Sequence, residues 1–107
     1  MTDTIGVALT TAAADIFTVP ADTVRYVTLI QVCNVDGANA ADATIQWTDA
    51  SNADAVTRLA YQVTIDAQDS RTMTVGAFAL SAGDKLQALA SAAGDLELTV
   101  TYYDESV

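Results

Sequence analysis

The chain consists of short segments in which apolar and polar residues alternate, separated by turns rich in aspartate, asparagine, glycine and alanine. The clearest segment is 95–103, where Leu96, Leu98, Val100 and Tyr102 alternate with glutamate, threonine and tyrosine. Alternation with a period of two is typical of a strand that has one buried and one exposed face. This segment therefore predicts a strand whose four alternating apolar side chains lie in the core.

The same period predicts further strands along the chain. They are expected at 5–9, 15–19, 24–35, 43–49, 56–65, 71–75 and 85–91. Short strands with turns about every 8–12 residues are typical of β-sandwiches of the jelly-roll or Greek-key type. We therefore predict an all-β fold with short strands, a single β-sandwich domain over residues 1–107.

Two segments allow alternative structures. In 24–35 the adjacent Leu29 and Ile30 break the alternation, which fits either a β-bulge or a central strand buried on both faces. The region 85–91 is rich in alanine and leucine, which favour helices, so a helix competes with a strand there. We predict a strand, because the segment is short and is bracketed by glycines.

An alanine-rich link separates the first strand from the rest of the chain, and Ile5, Val7 and Leu9 carry the alternation of this strand. Residues 1–14 form either an ordinary edge strand of the sandwich or an arm that reaches another subunit. Because an arm would bind through its apolar side chains, these three residues are possible interface residues.

The few aromatic residues are divided between core and surface. Trp47 and Tyr61 lie among alternating apolar neighbours, so we expect both in the core and not on a sugar-binding surface. Tyr102 and Tyr103 are adjacent in a strand and therefore point to opposite faces. We predict Tyr103 as an exposed contact residue and add it to the possible interface residues, since tyrosine is common in protein interfaces.

Charge and length exclude several classes of partner. The 107-residue chain carries four basic and fourteen acidic residues, a net charge of −10. Nucleic-acid binding needs clustered lysine and arginine, and anionic membranes repel such a chain, so we expect neither partner. No apolar segment reaches the roughly 18 residues of a membrane span, and no secretory signal is recognised. These patterns predict synthesis in a reducing cytoplasm.

The residues that usually carry catalysis are scarce. Without histidine the usual general base of serine and cysteine triads is missing, and no cluster of cysteine and histidine is present for zinc. We therefore predict no enzyme activity, no catalytic residue, no cofactor and no metal site. The single cysteine, Cys33, lies in an apolar run, which predicts a buried and unreactive thiol.

Carboxylates in the loops are the remaining candidates for calcium ligands. Two loops, 36–42 and 49–54, are rich in aspartate and asparagine but match no calcium signature. Since turns use aspartate and asparagine in any case, we interpret these residues as solvated turn residues, and calcium binding stays open. The outward positions of the strands carry threonine, glutamine and alanine more than charge, which favours pairing with neighbouring molecules.

The order of segments resembles a known class of proteins. Arg-Tyr-Val-Thr-Leu-Ile-Gln-Val-Cys-Asn-Val (25–35) precedes a tryptophan strand (43–49) and Ala-Tyr-Gln-Val-Thr-Ile (60–65). A Leu-x-x-Gly-Asp-x-Leu turn within 80–91 and a final strand follow. This layout is similar to that of small β-sandwich virion structural proteins of tailed bacteriophages, which are capsid decoration (cement) proteins and minor neck or tail components.

The resemblance implies a function and a location. A decoration subunit would bind the outside of the major capsid protein lattice, stabilise the head and form a homo-oligomer, for which a trimer fits the lattice. It would be made in the host cytoplasm and act on the capsid exterior of the virion, without binding nucleic acid or membrane. The alternatives are a minor neck, tail or fibre component and a free carbohydrate- or protein-binding module. The resemblance assigns no individual binding residues.

Overall fold

The computed structural model describes residues 2–74 and 76–107, which form two antiparallel β-sheets. The predicted all-β sandwich is confirmed. The strands are β1 (Thr2–Ala8), β2 (Ala14–Thr18), β3 (Thr23–Asn34), β4 (Ala41–Asp49), β5 (Ala55–Ile65), β6 (Ser70–Thr72), β7 (Phe78–Ser81), β8 (Lys85–Ala90) and β9 (Leu96–Ser106). A short 3-10 turn (Ala50–Asn52) links β4 to β5. Across the described ranges no helix is long and apolar enough to span a bilayer.

The strand order identifies the sandwich as a jelly roll. One sheet has the order β1-β9-β3-β6, with β7 also paired to β3, and the other has the order β2-β8-β4-β5. Strands β6 and β7 pair with different parts of β3, so they act as two halves of one interrupted strand. The strands pair as β1–β9, β2–β8, β3–β6/β7 and β4–β5, so each pair encloses the next one along the sequence. Folding this nested hairpin into two sheets produces a jelly roll.

The core lies between the two sheets and follows the alternation of the strands. In β9, Leu96, Leu98, Val100 and Tyr102 are at most 7% exposed, as predicted. The largest fully buried side chains come from strands of both sheets and from the segments that flank them. They are Leu9, Val19, Val27, Ile30, Val32, Ile45, Ile65, Leu80, Leu86, Leu96, Leu98 and Val100.

Both ambiguous segments are strands. The register between β3 and β9 shifts between Val27 and Leu29, so the β-bulge is the one of the two alternatives that the structure shows. Thr28 is the extra residue, and its hydroxyl donates to the carbonyl oxygen of Thr101 at 3.2 Å. The bulge returns Ile30 to the core. The 85–91 segment forms β8, which confirms the strand over the helix.

A bulge in β5 turns one aromatic residue outward. The register with β4 shifts on either side of Ile45, and Gln62 has a left-handed φ of 51°. The backbone N–H of Gln62 donates to the Thr44 hydroxyl oxygen at 3.1 Å, which holds the bulge in place. Ala60 consequently lies opposite Ile45, and Tyr61 is 61% exposed. The core position predicted for Tyr61 is therefore wrong.

The predictions for Trp47 and for the strand at 71–75 have different outcomes. Trp47 is half-buried and packs against the core, as expected. The strand expected at 71–75 is observed only as β6, and Val75 lies outside the described residues.

Asp84 ties together three loops at one end of the sandwich. Its side chain is buried, and its two carboxylate oxygens each accept a backbone N–H at 2.9 Å, from Ala50 and Ser81. Its own carbonyl oxygen accepts from the N–H of Val19 at 2.9 Å. Gly83 precedes it with φ +88°, and a Cβ there would lie 3.0 Å from the Cβ of Ala50. These contacts explain the residues of the Leu-x-x-Gly-Asp-x-Leu turn.

Asp84→Ala should lower the free energy of unfolding by about 3 kcal/mol, because the backbone N–H groups of Ala50 and Ser81 lose a charged acceptor that is itself buried. Asp84→Asn keeps one acceptor oxygen and should lose about half as much. Urea unfolding measures both values, with Asp66→Ala in an exposed turn as the matched control expected within about 0.5 kcal/mol of the parent. A loss at Asp84→Ala no larger than in this control would contradict the structural role of the carboxylate.

Candidate functional site

The middle of the outer surface of one sheet carries no charged side chain. The register of β1, β9 and β3 determines which residues share this surface, because directly opposed residues point the same way. We call it the neutral face, and it consists of Thr4, Gly6, Tyr26, Leu29, Gln31, Thr99, Thr101 and Tyr103. Glu97 and Glu105 bound it at the two ends of β9. The residues of the neutral face are uncharged although the chain carries a net charge of −10.

Side-chain contacts hold the neutral face in place. The rings of Tyr26 and Tyr103 lie 5.9 Å apart with an interplanar angle of 33°. The hydroxyl oxygens of Thr4 and Thr101 are 3.0 Å apart across the β1–β9 pair. Tyr103 is 41% exposed, so a large aromatic surface is held in one orientation and remains accessible. Ordering before contact lowers the entropy lost on binding.

Beneath the tyrosine end of the neutral face lies a buried ionic cluster. Arg25 is 6% exposed, and its Nε and Nη2 donate to the two carboxylate oxygens of Asp104 at 2.7 and 2.8 Å. The guanidinium carbon lies 3.8 Å from the ring centre of Tyr102 and 4.7 Å from that of Phe17. The Tyr102 hydroxyl donates to Asp3 at 3.2 Å. The cluster therefore joins β1, β2, β3 and β9.

The ionisation of this cluster follows from its contacts. The hydrogen bonds from Arg25 lower the pKa of Asp104, and the same bonds raise the pKa of Arg25. Burial raises the pKa of the Tyr102 phenol. Bidentate pairing of a guanidinium with a carboxylate is strong and directional, so the cluster fixes geometry.

The structure separates the four predicted interface residues. Tyr103 lies on the neutral face, whereas Ile5 and Val7 point toward the core and are half-buried at the sheet edge. Leu9 is 2% exposed, and its N–H donates to the carbonyl oxygen of Leu96 at 2.9 Å. Contact of Leu9 with another molecule would require the strand end to detach. The interface role of these residues stays a prediction.

Cys33 is exposed, so the predicted buried thiol is wrong. Its neighbours Val32 and Asn34 are buried at 0% and 1% exposure, and alternation turns the side chain between them outward. The prediction was wrong because the apolar run belongs to β3, a central strand of its sheet. The outer face of this strand carries both apolar and polar residues, so an apolar run there does not imply burial on both faces.

The acidic loop side chains serve the loops themselves. The Asp36 carboxylate accepts from the N–H groups of Ala38 and Asn39 at 2.7 and 3.0 Å, and these bonds lower the pKa of Asp36. Asp49 accepts from the N–H and hydroxyl of Ser51. Within the part of the chain that the structure describes, no group of three or more acidic, cysteine or histidine side chains is arranged to hold a metal ion.

Arg25 and Asp84 are the important residues that sequence reasoning missed. Arg25 was counted only toward the net charge, although it lies two residues before the buried Val27 in the same strand. This spacing places both side chains on the inner face and was the available signal. For Asp84, the turn motif was recognised, but no pattern in the sequence indicates that its carboxylate bonds to Ala50 in another loop.

Comparisons with known proteins establish the fold. No protein-family model and no curated protein matches the sequence. A structure of Bacillus endospore appendages, described as disulfide-linked pili, matches with a TM-score of 0.55 and 14% identity over 100% of this chain and 88% of that one. At this identity the likeness shows a shared fold alone.

Two structures of a pentameric capsid protein isolated from metagenomic phage sequences also match. Their TM-scores are 0.46 and 0.45, with 19% and 21% identity over 92% of this chain. The chain spans 60% and 59% of the length of these capsid proteins.

The stability contributed by the Arg25–Asp104 pair should depend on pH. The unfolded pKa of aspartate is about 3.9 and the folded pKa of Asp104 lies lower, so unfolded chains bind more protons as the pH falls. The contribution is therefore present above about pH 4 and is lost as the pH falls through the lowered folded pKa.

Asp104→Asn should cost about 2 kcal/mol at pH 7, a value reduced from that of a fully buried pair because Asp104 is partly exposed. The difference from the parent should shrink toward pH 2 in urea unfolding curves. Glu105→Gln is the exposed neighbouring control. A difference that stays constant from pH 7 to pH 2 would show that the charge of Asp104 is not the cause.

Proposed function

We propose that the protein is a structural subunit of a phage virion and that it acts as a decoration subunit on the outside of a capsid lattice. The neutral face is the observation that carries this proposal. Interface cores are depleted of charge and enriched in tyrosine, and the neutral face combines both properties in a strongly acidic chain. Its strands are held by the buried ionic cluster, so the surface is presented without rearrangement.

The distribution of charge fits a subunit that must stay apart from its copies before it assembles. Net charge of one sign keeps free subunits soluble, whereas burying charged groups in an interface costs free energy. Because the neutral face carries no charge, contact through it avoids that cost. An acidic exterior also suits a position outside the shell, away from DNA.

The proposed mechanism is mechanical. Each subunit would contact the major capsid protein lattice through the neutral face, and many copies would add their modest binding energies. Oligomers on such a lattice follow its symmetry, and a trimer is the assembly we propose. The jelly-roll fold shared with an appendage subunit supports a structural role but does not specify the particle.

A second candidate function is a binding module. The bulge in β5 exposes Tyr61, and the guanidinium of Arg58 lies 5.3 Å from the ring centre of Tyr61. An exposed aromatic ring beside a cation can contact a sugar or a protein. This patch lies in the other sheet and is therefore separable from the neutral face by mutation.

Quantitative mass spectrometry of dense, nuclease-resistant particles from the producing culture tests the location. A ratio of this chain to the most abundant particle protein near unity, or near a simple lattice fraction, is expected for a decoration subunit. A few copies per particle would instead indicate a neck, tail or fibre component. Absence from the particles would overturn the virion proposal and favour the binding module.

Tyr103→Ala should weaken binding of the purified chain to particles that lack it by at least about tenfold, as for a central interface tyrosine. Tyr61→Ala is the matched control, since it also removes an exposed tyrosine but from the other sheet. Co-sedimentation measures binding, and thermal unfolding verifies that both variants fold. The opposite ranking, with glycan binding lost in Tyr61→Ala, would favour the binding module.

A further inference from the structure

The four sheet edges differ in how readily they accept another strand. The β5 edge has two register shifts and the left-handed Gln62, and the β2 edge has one shift and is soon followed by Pro20. The edge formed by β6 and β7 is interrupted. Bulges, proline and breaks are the features that block edge pairing. Among the described residues, β1 is the one edge with seven paired residues in unbroken register.

The hydrogen-bonding groups of β1 point alternately to the two sides of the strand. The N–H of Leu9 donates to Leu96 in β9, and hydrogen-bonded positions alternate along an antiparallel pair. The odd positions of β1 therefore face β9, and the even positions face outward. The outward positions are Thr2, Thr4, Gly6 and Ala8. Of these, the N–H of Thr4 donates to the Asp3 carboxylate at 2.8 Å.

A groove lies beside this edge where Gly6 lacks a side chain. Its volume is about 300 Å³, and it is lined by Gly6, Val7, Ala8, Glu97, Leu98 and Thr99. A Cβ built on Gly6 meets no atom within 4 Å, so the space is open at this position. An added strand places alternate side chains over this surface, and one of them would enter the groove.

The negative charge of Glu97 at the groove favours a basic side chain from the partner. Glu97 is exposed, and the ion pairs found among the described residues are Arg25–Asp104 and Lys85–Asp15, so no basic side chain of the chain itself neutralises it. A lysine or arginine from a partner could lie in the groove with its cation at this carboxylate. An exposed ion pair of this kind gives direction and register more than affinity.

A second copy of this chain is a poor source of that cation. All four basic side chains already have contacts within the chain. Arg25 and Lys85 form ion pairs, and Arg58 lies over the ring of Tyr61. The remaining one, Arg71, is within 3.5 Å of the carbonyl oxygen of Thr64. Two copies of net charge −10 also repel each other.

We propose that the β1 edge binds an extended segment of a different protein as an added strand, with a lysine or arginine of that segment in the Gly6 groove beside Glu97. This inference rests on the proposed function, because the segment would belong to the neighbouring protein of the assembly. The free chain should nevertheless show the preference by itself.

The experiment uses the full-length, nitrogen-15-labelled chain and two acetylated, amidated peptides, Thr-Val-Thr-Lys-Thr-Val-Thr and the same peptide with glutamate in place of lysine. The lysine peptide should shift the amide signals of residues 2–8 and 97–99. The glutamate peptide should bind about threefold to fivefold more weakly, as expected for one exposed ion pair. Raising the salt concentration should reduce this difference.

Two variants test the groove and its charge. Gly6→Val fills the groove at a position where a side chain fits, and it should weaken the lysine peptide while thermal unfolding shows an intact fold. Glu97→Gln should remove the preference for lysine over glutamate. The matched control Glu105→Gln, at the other end of β9, should leave that preference unchanged.

The proposal is overturned if the peptides bind equally, if neither shifts the β1 amides at about 1 mM, or if the shifts map to β5. Self-association through β1 without peptide would also overturn it, since a second copy would then occupy the edge. These results concern the free chain, so they are independent of its ratio in particles. Presence in particles with no peptide preference would leave the proposed function intact and remove only the strand proposal.

Discussion

The pairing of β3 with β9 is the interaction on which the rest of the structure depends. This ladder runs from Thr23 opposite Ser106 to Asn34 opposite Leu96, and it positions β1 on one side and β6 and β7 on the other. Its bulge at Thr28 keeps the inner side chains on the core face despite the break in alternation. At one end the ladder is closed by the Arg25–Asp104 pair, which packs against aromatic rings. The positions of the side chains on the neutral face therefore depend on the hydrogen bonds of this ladder and on the ion pair beneath it.

The distribution of charge explains how a strongly acidic chain can keep an uncharged surface. Most carboxylates lie in turns or at strand ends, where several accept local backbone hydrogen bonds. The two buried charged side chains have defined partners, since Arg25 pairs with Asp104 and Asp84 accepts from two loops. Burial of these groups is tolerated because their hydrogen bonds compensate the loss of hydration. The neutral face in the middle of the first sheet therefore carries threonine, glutamine, leucine and tyrosine.

Much of the fold could be predicted from the period of the sequence, and the errors occurred where a local backbone feature changed that period. The alternation in β9 gave the correct buried face because its pairing with β1 is regular. The same reasoning failed for Tyr61, because the bulge at the left-handed Gln62 adds a residue to β5 and no turn motif in the sequence indicates it. Cys33 was judged by its apolar neighbours and not by its parity in the strand. The neutral face could not be predicted, because it depends on which distant strands pair.

The pairing of β1 with β9 determines when, during folding, the two exposed surfaces form. Both the neutral face and the Gly6 groove include residues of β1 and β9, which lie far apart in the sequence, so neither surface is complete until these two strands pair. Pairing between such distant segments must wait for closure of a long loop, which is slow. A chain in which β1 and β9 have not paired would therefore present neither surface. The topology thus makes both surfaces late products of folding, because they form only after distant segments have paired.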